Sequence, residues 1–282
     1  QNQQTEQEDK TEVESSPADD SEVATPDDNS AQVGESSLIA TPKTSFEYFV
    51  EKTNKTVTIN RFLGDEINVV VPETIDGYPV TYVDGFTDSN VESVVFSKNV
   101  ATIGENAFEN CKYLKTIEFK SSSFEISPYA FYGCSSIEEL ILPEGLNRIG
   151  SYAFADCTSL KRLHIPASLK SYGHRMFEGV SIEYLTFAEG VETIGDPSDS
   201  ITLAFKSSKT ATIKSVIFPA SLKTLHYTIG FSYVDEIIFE GDLPSCEHLR
   251  SMVTTNTVIK YKKGTKGWDD RILRGYKLEE IN

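Results

Sequence analysis

A β-rich α/β solenoid built from units of about 23 residues is the fold class this sequence predicts, and three observations predict it. Cys111, Cys134 and Cys157 stand 23 residues apart, and the text between them repeats with them. Phe108, Phe131, Phe154 and Phe177 keep the same interval, as do Gly104, Ser127, Gly150 and Gly173. Each unit also carries a short apolar strand pattern: VESVVF from Val91, LKTIEF from Leu114, IEELIL from Ile137 and LKRLHI from Leu160. A unit of this size cannot bury its own apolar face, so neighbouring units must stack and share one core.

Laid in register, the units read Leu-x-x-Ile-x-Phe/Pro followed by x-Ile-Gly-x-x-Ala-Phe-x-x-Cys. This pattern resembles the BspA-type leucine-rich repeat of bacterial surface and secreted proteins, and the resemblance covers residues 46–268. It implies a leucine-rich-repeat solenoid with a β-hairpin-like N-terminal cap and a C-terminal cap. It also implies an extracellular or cell-surface, non-catalytic binding or adhesion module; some proteins with this repeat bind host matrix proteins. A fold resemblance of this kind does not name a partner.

Residues 1–45 contain no aromatic residue, and eleven acidic residues there face only Lys10 and Lys43, so this stretch holds much of the net charge of −17. It cannot bury enough apolar surface to offset its ordering entropy and is expected to be a disordered acidic spacer. The chain begins at Gln1, which suggests a removed leader and leaves room for a lipid anchor upstream. No apolar run is long enough to span a bilayer as a helix.

Residues 46–90 depart from the repeat. FEYFVE, VTINRFLG and INVVVPETIDGYPVTYV read as short strands separated by turn signals, a cap followed by rung zero. The array itself spans 91–245. After Ile182 the next strand pattern, IKSVIF, starts at Ile213, and the surplus falls in an insertion at 196–212; insertions of this kind map to surface loops. VDEIIF from Val234 reads as the last rung. Residues 246–282 then form a cap in which Trp268, with Ile272, Leu273 and Tyr276 at helical spacing, covers the open end.

Three cysteines share one repeat position, which Val180 occupies in the next unit. A slot that takes Cys or Val is an apolar core slot, so these are expected to be buried free thiols, with the role of Cys246 open.

In each leading strand the first, fourth and sixth residues are apolar and point inward. The second positions read Glu92, Lys115, Glu138, Lys161, Glu183, Lys214 and Asp235, an alternation of sign that would fix register. The third and fifth positions supply the candidate binding surface: Glu139, Ile141, Arg162, His164, Tyr184, Thr186, Ile217 and Ile238. Apolar side chains flanked by Arg, His and Tyr suit a protein-binding patch. The competing expectation is that Ile141, Ile217 and Ile238 are covered by their neighbours or by the insertion.

Motifs for catalysis are absent from the text. There is no glycine-rich phosphate loop, Gly-x-Ser-x-Gly elbow or His-Glu-x-x-His, and no paired Cys or His ligands suggest a metal. No cofactor is expected. A pI near 4.7 argues against nucleic-acid binding. A basic local exception, Lys260, Lys262, Lys263, Lys266, Arg271, Arg274 and Lys277, falls in the C-terminal cap. The expectation is a monomeric, non-enzymatic adhesion module for an extracellular protein or glycan. A structural scaffold within a surface assembly is the alternative, and an extracellular carbohydrate-acting enzyme a minor one.

Overall fold

The computed structural model describes residues 39–194, 213–226, 234–246, 256–268, 273 and 275–282. The expected insertion at 196–212, most of the expected spacer, and Arg271, Ile272 and Arg274 lie outside the described residues.

The chain enters through a 3-10 turn at Lys43–Ser45 and an antiparallel pair, β1 (Phe46–Glu51) and β2 (Thr56–Phe62). β3 (Asn68–Val70) follows. A hairpin comes next, β4 (Thr74–Ile75) and β5 (Tyr78–Val83), turned by Asp76 and Gly77 at positive φ. From there each rung contributes a leading strand and then, through most of the array, a second one. They are β6 (Ser93–Phe96), β7 (Thr102–Ile103), β8 (Thr116–Phe119), β9 (Phe124–Ile126), β10 (Glu139–Ile141), β11 (Leu146–Ile149), β12 (Arg162–Ile165) and β13 (Ser171–Tyr172). They continue as β14 (Ile182–Phe187), β15 (Thr193–Ile194), β16 (Ile213–Phe218), β17 (Thr224–Leu225), β18 (Val234–Phe239), β19 (Val258–Lys262) and β20 (Lys277–Ile281).

Strands stack in parallel on their counterparts. The leading strands form two sheets, β3-β6-β8 and β10-β12-β14-β16-β18-β19-β20. The second strands form β1-β2-β5-β7-β9-β11-β13, with β4 on β5, and a separate pair β15-β17. The molecule is thus a β-solenoid.

Among the described residues no α-helix occurs, so the expected α contribution gives way to turns. The reason is local. Asn106, Tyr129, Tyr152 and Arg175 share one repeat position and all have φ near +55°, and Asn110, Gly133, Asp156 and Gly179 share another left-handed position. A left-handed residue every four or so ends any α-helix. The turn amides instead alternate in direction. Phe108, Phe131 and Phe154 donate to Ala130, Ala153 and Met176 of the next rung, while Glu109 and Tyr132 close three-residue turns at home. The turn segment is therefore a third ladder along the stack.

That geometry aligns the phenyl rings. Phe86, Phe108, Phe131, Phe154 and Phe177 stack at centroid spacings of 4.5, 5.2, 5.1 and 5.7 Å, each pair worth about 1 kcal/mol beyond the area it buries. Beside them the Cys111, Cys134 and Cys157 thiols are buried and free and donate to Phe86 O, Phe108 O and Phe131 O of the preceding rung. Cys246 is buried as well. Burial pushes the Cys157 thiol well above its ordinary pKa. Gly150 and Gly173 hold their shared slot because a Cβ would lie 2.3 Å from Pro128 N and 2.1 Å from Ser151 N.

Two corners recur. The Glu144 carboxylate accepts the Ala167 and Ser168 amides, and the Ser168 hydroxyl donates to Leu146 O. One pair of rungs later Glu189 accepts from Ala220 and Ser221, and Ser221 donates to Val191 O. Glu-Gly in one rung thus locks onto Ala-Ser in the next.

The ends differ from the sequence expectation. The folded part begins ahead of Phe46, since Thr41 bonds Val70 through both its amide and its hydroxyl. At the other end VDEIIF is not the last rung: β19 and β20 continue the sheet in register, Glu236↔Val258 and Val258↔Lys277. Register puts Asn256 where earlier rungs have an aliphatic residue, and Thr257 beside it is buried and donates to Val234 O. Trp268 is 6% exposed and packs on Phe239 at 5.1 Å and Tyr261 at 4.9 Å.

Candidate functional site

Parallel pairing in strict register turns repeat positions into columns. Third positions run Glu139↔Arg162↔Tyr184↔Ser215↔Glu236, and fifth positions run Ile141↔His164↔Thr186↔Ile217↔Ile238↔Lys260. All eight residues expected to form the binding surface therefore lie on one continuous sheet, two columns wide.

Exposure changes along the columns. Ile141 is 59% exposed, and Glu139 and Arg162 beside it are exposed too. His164, Tyr184 and Thr186 are half-buried, and so are Ile217 and Ile238. Ser215, between Tyr184 and Glu236, is only 1% exposed, and its hydroxyl has no hydrogen-bond partner among the described residues. The expectation of exposed apolar side chains holds for Ile141; the expectation of covering describes Ile217 and Ile238 in part.

The polar members are paired across rungs. Arg162 Nε donates to Glu139 Oε1 at 3.0 Å, which raises the guanidinium pKa further. That bond uses one of its five N–H groups, and the side chain is 53% exposed. His164 Nδ1 and Thr186 Oγ1 are 2.8 Å apart, and burial lowers the imidazole pKa. Lys214 Nζ lies 5.7 Å from the centroid of the Tyr184 ring, a cation–π contact.

One participant escaped the sequence reading. Lys260, assigned there to a basic cap, stands in the fifth-position column and pairs with Glu236 at 2.8 Å; that bond raises its pKa. The second-position alternation is also less than a ladder. Among the described residues one of those neighbouring pairs closes, Lys115 with Glu92 at 2.7 Å. No three His, Cys, Asp or Glu side chains come together as a metal-binding group among the described residues.

A family model for the BspA type leucine rich repeat region matches residues 82–208 in six copies. Residues 82–208 are a BspA-type leucine-rich repeat region. Among solved structures, a T. pallidum leucine-rich repeat protein is 25% identical with a TM-score of 0.50, the match covering 71% of this chain and 86% of that one. A leucine rich cell surface protein from Faecalibacterium prausnitzii is 16% identical at a TM-score of 0.42, covering 88% of this chain and 96% of its own. The pneumococcal vaccine antigen PcpA is 15% identical at 0.40, covering 87% and 99%. Among curated proteins none matches this chain. No helix among the described residues is long and apolar enough to cross a membrane.

Proposed function

We propose that this chain is a non-catalytic binding module, extracellular or on the cell surface, that recognises a protein or glycan through the leading-strand face of its BspA-type repeats. The observation that carries the reading is the exposed Ile141 beside the exposed Arg162, one rung from Tyr184 on the same sheet. An apolar anchor, an Arg and a Tyr set side by side are the residue types that concentrate binding energy at interfaces. The repeat family supports the surface location, and the acidic stretch at residues 1–45 suits a spacer.

The test is binding of the full chain to an array of extracellular-matrix proteins and glycans, with Ile141→Ala, Arg162→Ala and Tyr184→Ala combined as control. A partner lost in the triple variant is the expected result. A partner bound equally by both proteins would contradict the reading.

A second reading, a scaffold or spacer within a surface assembly, is favoured by one observation. Glu139, His164, Thr186 and Glu236 are already paired with neighbouring rungs, as a face built only for stacking would be. It expects no partner on the array.

A further inference from the structure

Among the described residues the leading-strand face is interrupted once, between β8 and β10. Most Cα pairs between these strands are more than 8 Å apart, where bonded strands stand about 4.8 Å apart. The second strands remain bonded there, β9 to β11, and so do the turns, Phe131 N–H to Ala153 O. The rungs therefore part on one face only.

The break is lined by backbone groups. Thr116 and Lys120 donate back to Glu92 O and Phe96 O, so alternation turns the amides of Ile117 and Phe119 forward into the gap. From the far side Leu142 donates forward to His164 O, which turns the amides of Glu139 and Ile141 back into the same gap. Free edges of this kind are what an added strand pairs with.

Core side chains are reachable as well. The inward fourth-position residue is buried in every rung from Val69 to Ile259 except Ile117, which is half-buried, as is Phe119. Leu278 in β20, the last strand of its sheet, is 39% exposed in the same column. Ile117 is thus uncovered in the middle of the array in the way that a terminal rung is.

We infer that the break between β8 and β10 is an acceptor for an extended segment of another protein, which adds as a strand and lays alternate apolar side chains against Ile117 and Phe119. The free amides and carbonyls on both edges select a polypeptide over a glycan, because only an extended peptide repeats donor and acceptor at strand spacing. The half-exposed core selects a segment apolar at every second residue. This inference rests on the strand face being a binding surface and names the class of partner.

Amide exchange on the full chain tests it, with a panel of acetylated ten-residue peptides that alternate Val, Ile or Phe with Thr or Lys. In the free chain the amides of Ile117, Phe119, Glu139 and Ile141 should exchange at least roughly tenfold faster than those of β16. A peptide from the panel should slow all four, and its copy N-methylated at alternate residues should not. The inference is overturned if the four amides are already protected, if no peptide slows them, or if the N-methylated copy acts equally. Slowing of the four amides with rising concentration of the chain alone would also overturn it, by making a second copy the occupant. A partner lost in the Ile141, Arg162 and Tyr184 triple variant while these amides stay unchanged would overturn the slot and leave the face reading standing.

Discussion

Residues 114–127 over 137–150, LKTIEFKSSSFEIS over IEELILPEGLNRIG, repeat closely as 160–173 over 182–195, LKRLHIPASLKSYG over IEYLTFAEGVETIG. The two junctions should be alike. They are opposite: β12 and β14 bond through Arg162↔Tyr184 and Leu163↔Leu185, whereas β8 and β10 part.

The difference lies at the corner. In the later pair Leu169 fills the tenth-position slot and is buried, as Val100 and Leu146 are in their rungs. In the earlier pair that position is Ser123, exposed, and the core slot is taken one residue late by Phe124, which pairs with Leu146 across an irregular register. Phe124 then stacks on Phe119 at 4.9 Å, so two phenyl rings fill a corner that Ile165 and Leu169 fill in the other junction. Excess volume in a close-packed core moves backbone rather than compressing, and the leading strand is what moves. The loop bonds inward, Ser121 Oγ to Ser123 O, and touches the next rung only at its end, where Ser123 Oγ accepts from Asn147 Nδ2 and Phe124 N–H donates to Gly145 O. A one-residue shift in the core slot is enough to open a sheet that the repeat would otherwise close.

The largest effect is expected at Phe131, which stacks on Phe154 across the parted rungs and on Phe108 of the rung before. With no leading-strand ladder there, Phe131→Ala should cost about 3–5 kcal/mol and split urea unfolding into two transitions, as a nearest-neighbour array does when one interface fails. A single transition with a small shift would mean that the parted junction is not the weak one. Next in size, Ser123→Leu with Phe124→Lys gives the earlier corner the residues of the later one. It should close β8 on β10 and raise stability by about 1–2 kcal/mol, read from the urea midpoint; unchanged exchange at Ile117 would refute the corner explanation.

Smaller still, Glu144→Ala removes the acceptor for two amides at a closed junction and should cost about 1 kcal/mol, much as loss of a helix cap does. The smallest effect concerns pH. Burial depresses the His164 pKa in the folded chain, so the unfolded chain takes up the proton first and stability falls as pH drops below about 6.5 toward the folded value. His164→Gln should remove that part of the acid sensitivity, measured as midpoint against pH from 7 to 5. An identical slope would place the titration elsewhere.

Much of this was legible in the sequence, for a physical reason. Stacking demands the same side chain at the same place in every rung, so the Phe and Cys columns and the inward aliphatic positions announce themselves at a fixed period. The eight surface candidates share a sheet because register follows from that period. The last two strands were obscured because Asn256 replaces an aliphatic residue and Lys260 looks like part of a basic cap, although Ile259 and Tyr261 keep the inward positions. The parting of β8 from β10 was hidden because Ser-Phe in place of Val-Ala or Leu-Asn reads as ordinary drift. Its visible trace is the tenth-position column Val100, Ser123, Leu146, Leu169, where one polar residue sits beside a displaced Phe.

Residue-resolved amide exchange at Ile117, Phe119, Glu139 and Ile141, set against Leu163, Ile165, Tyr184 and Thr186 at the equivalent junction, is the deciding measurement. Rapid exchange at the first four and protection at the other four is the predicted result. Equal protection at both junctions would contradict it, and with it the acceptor site.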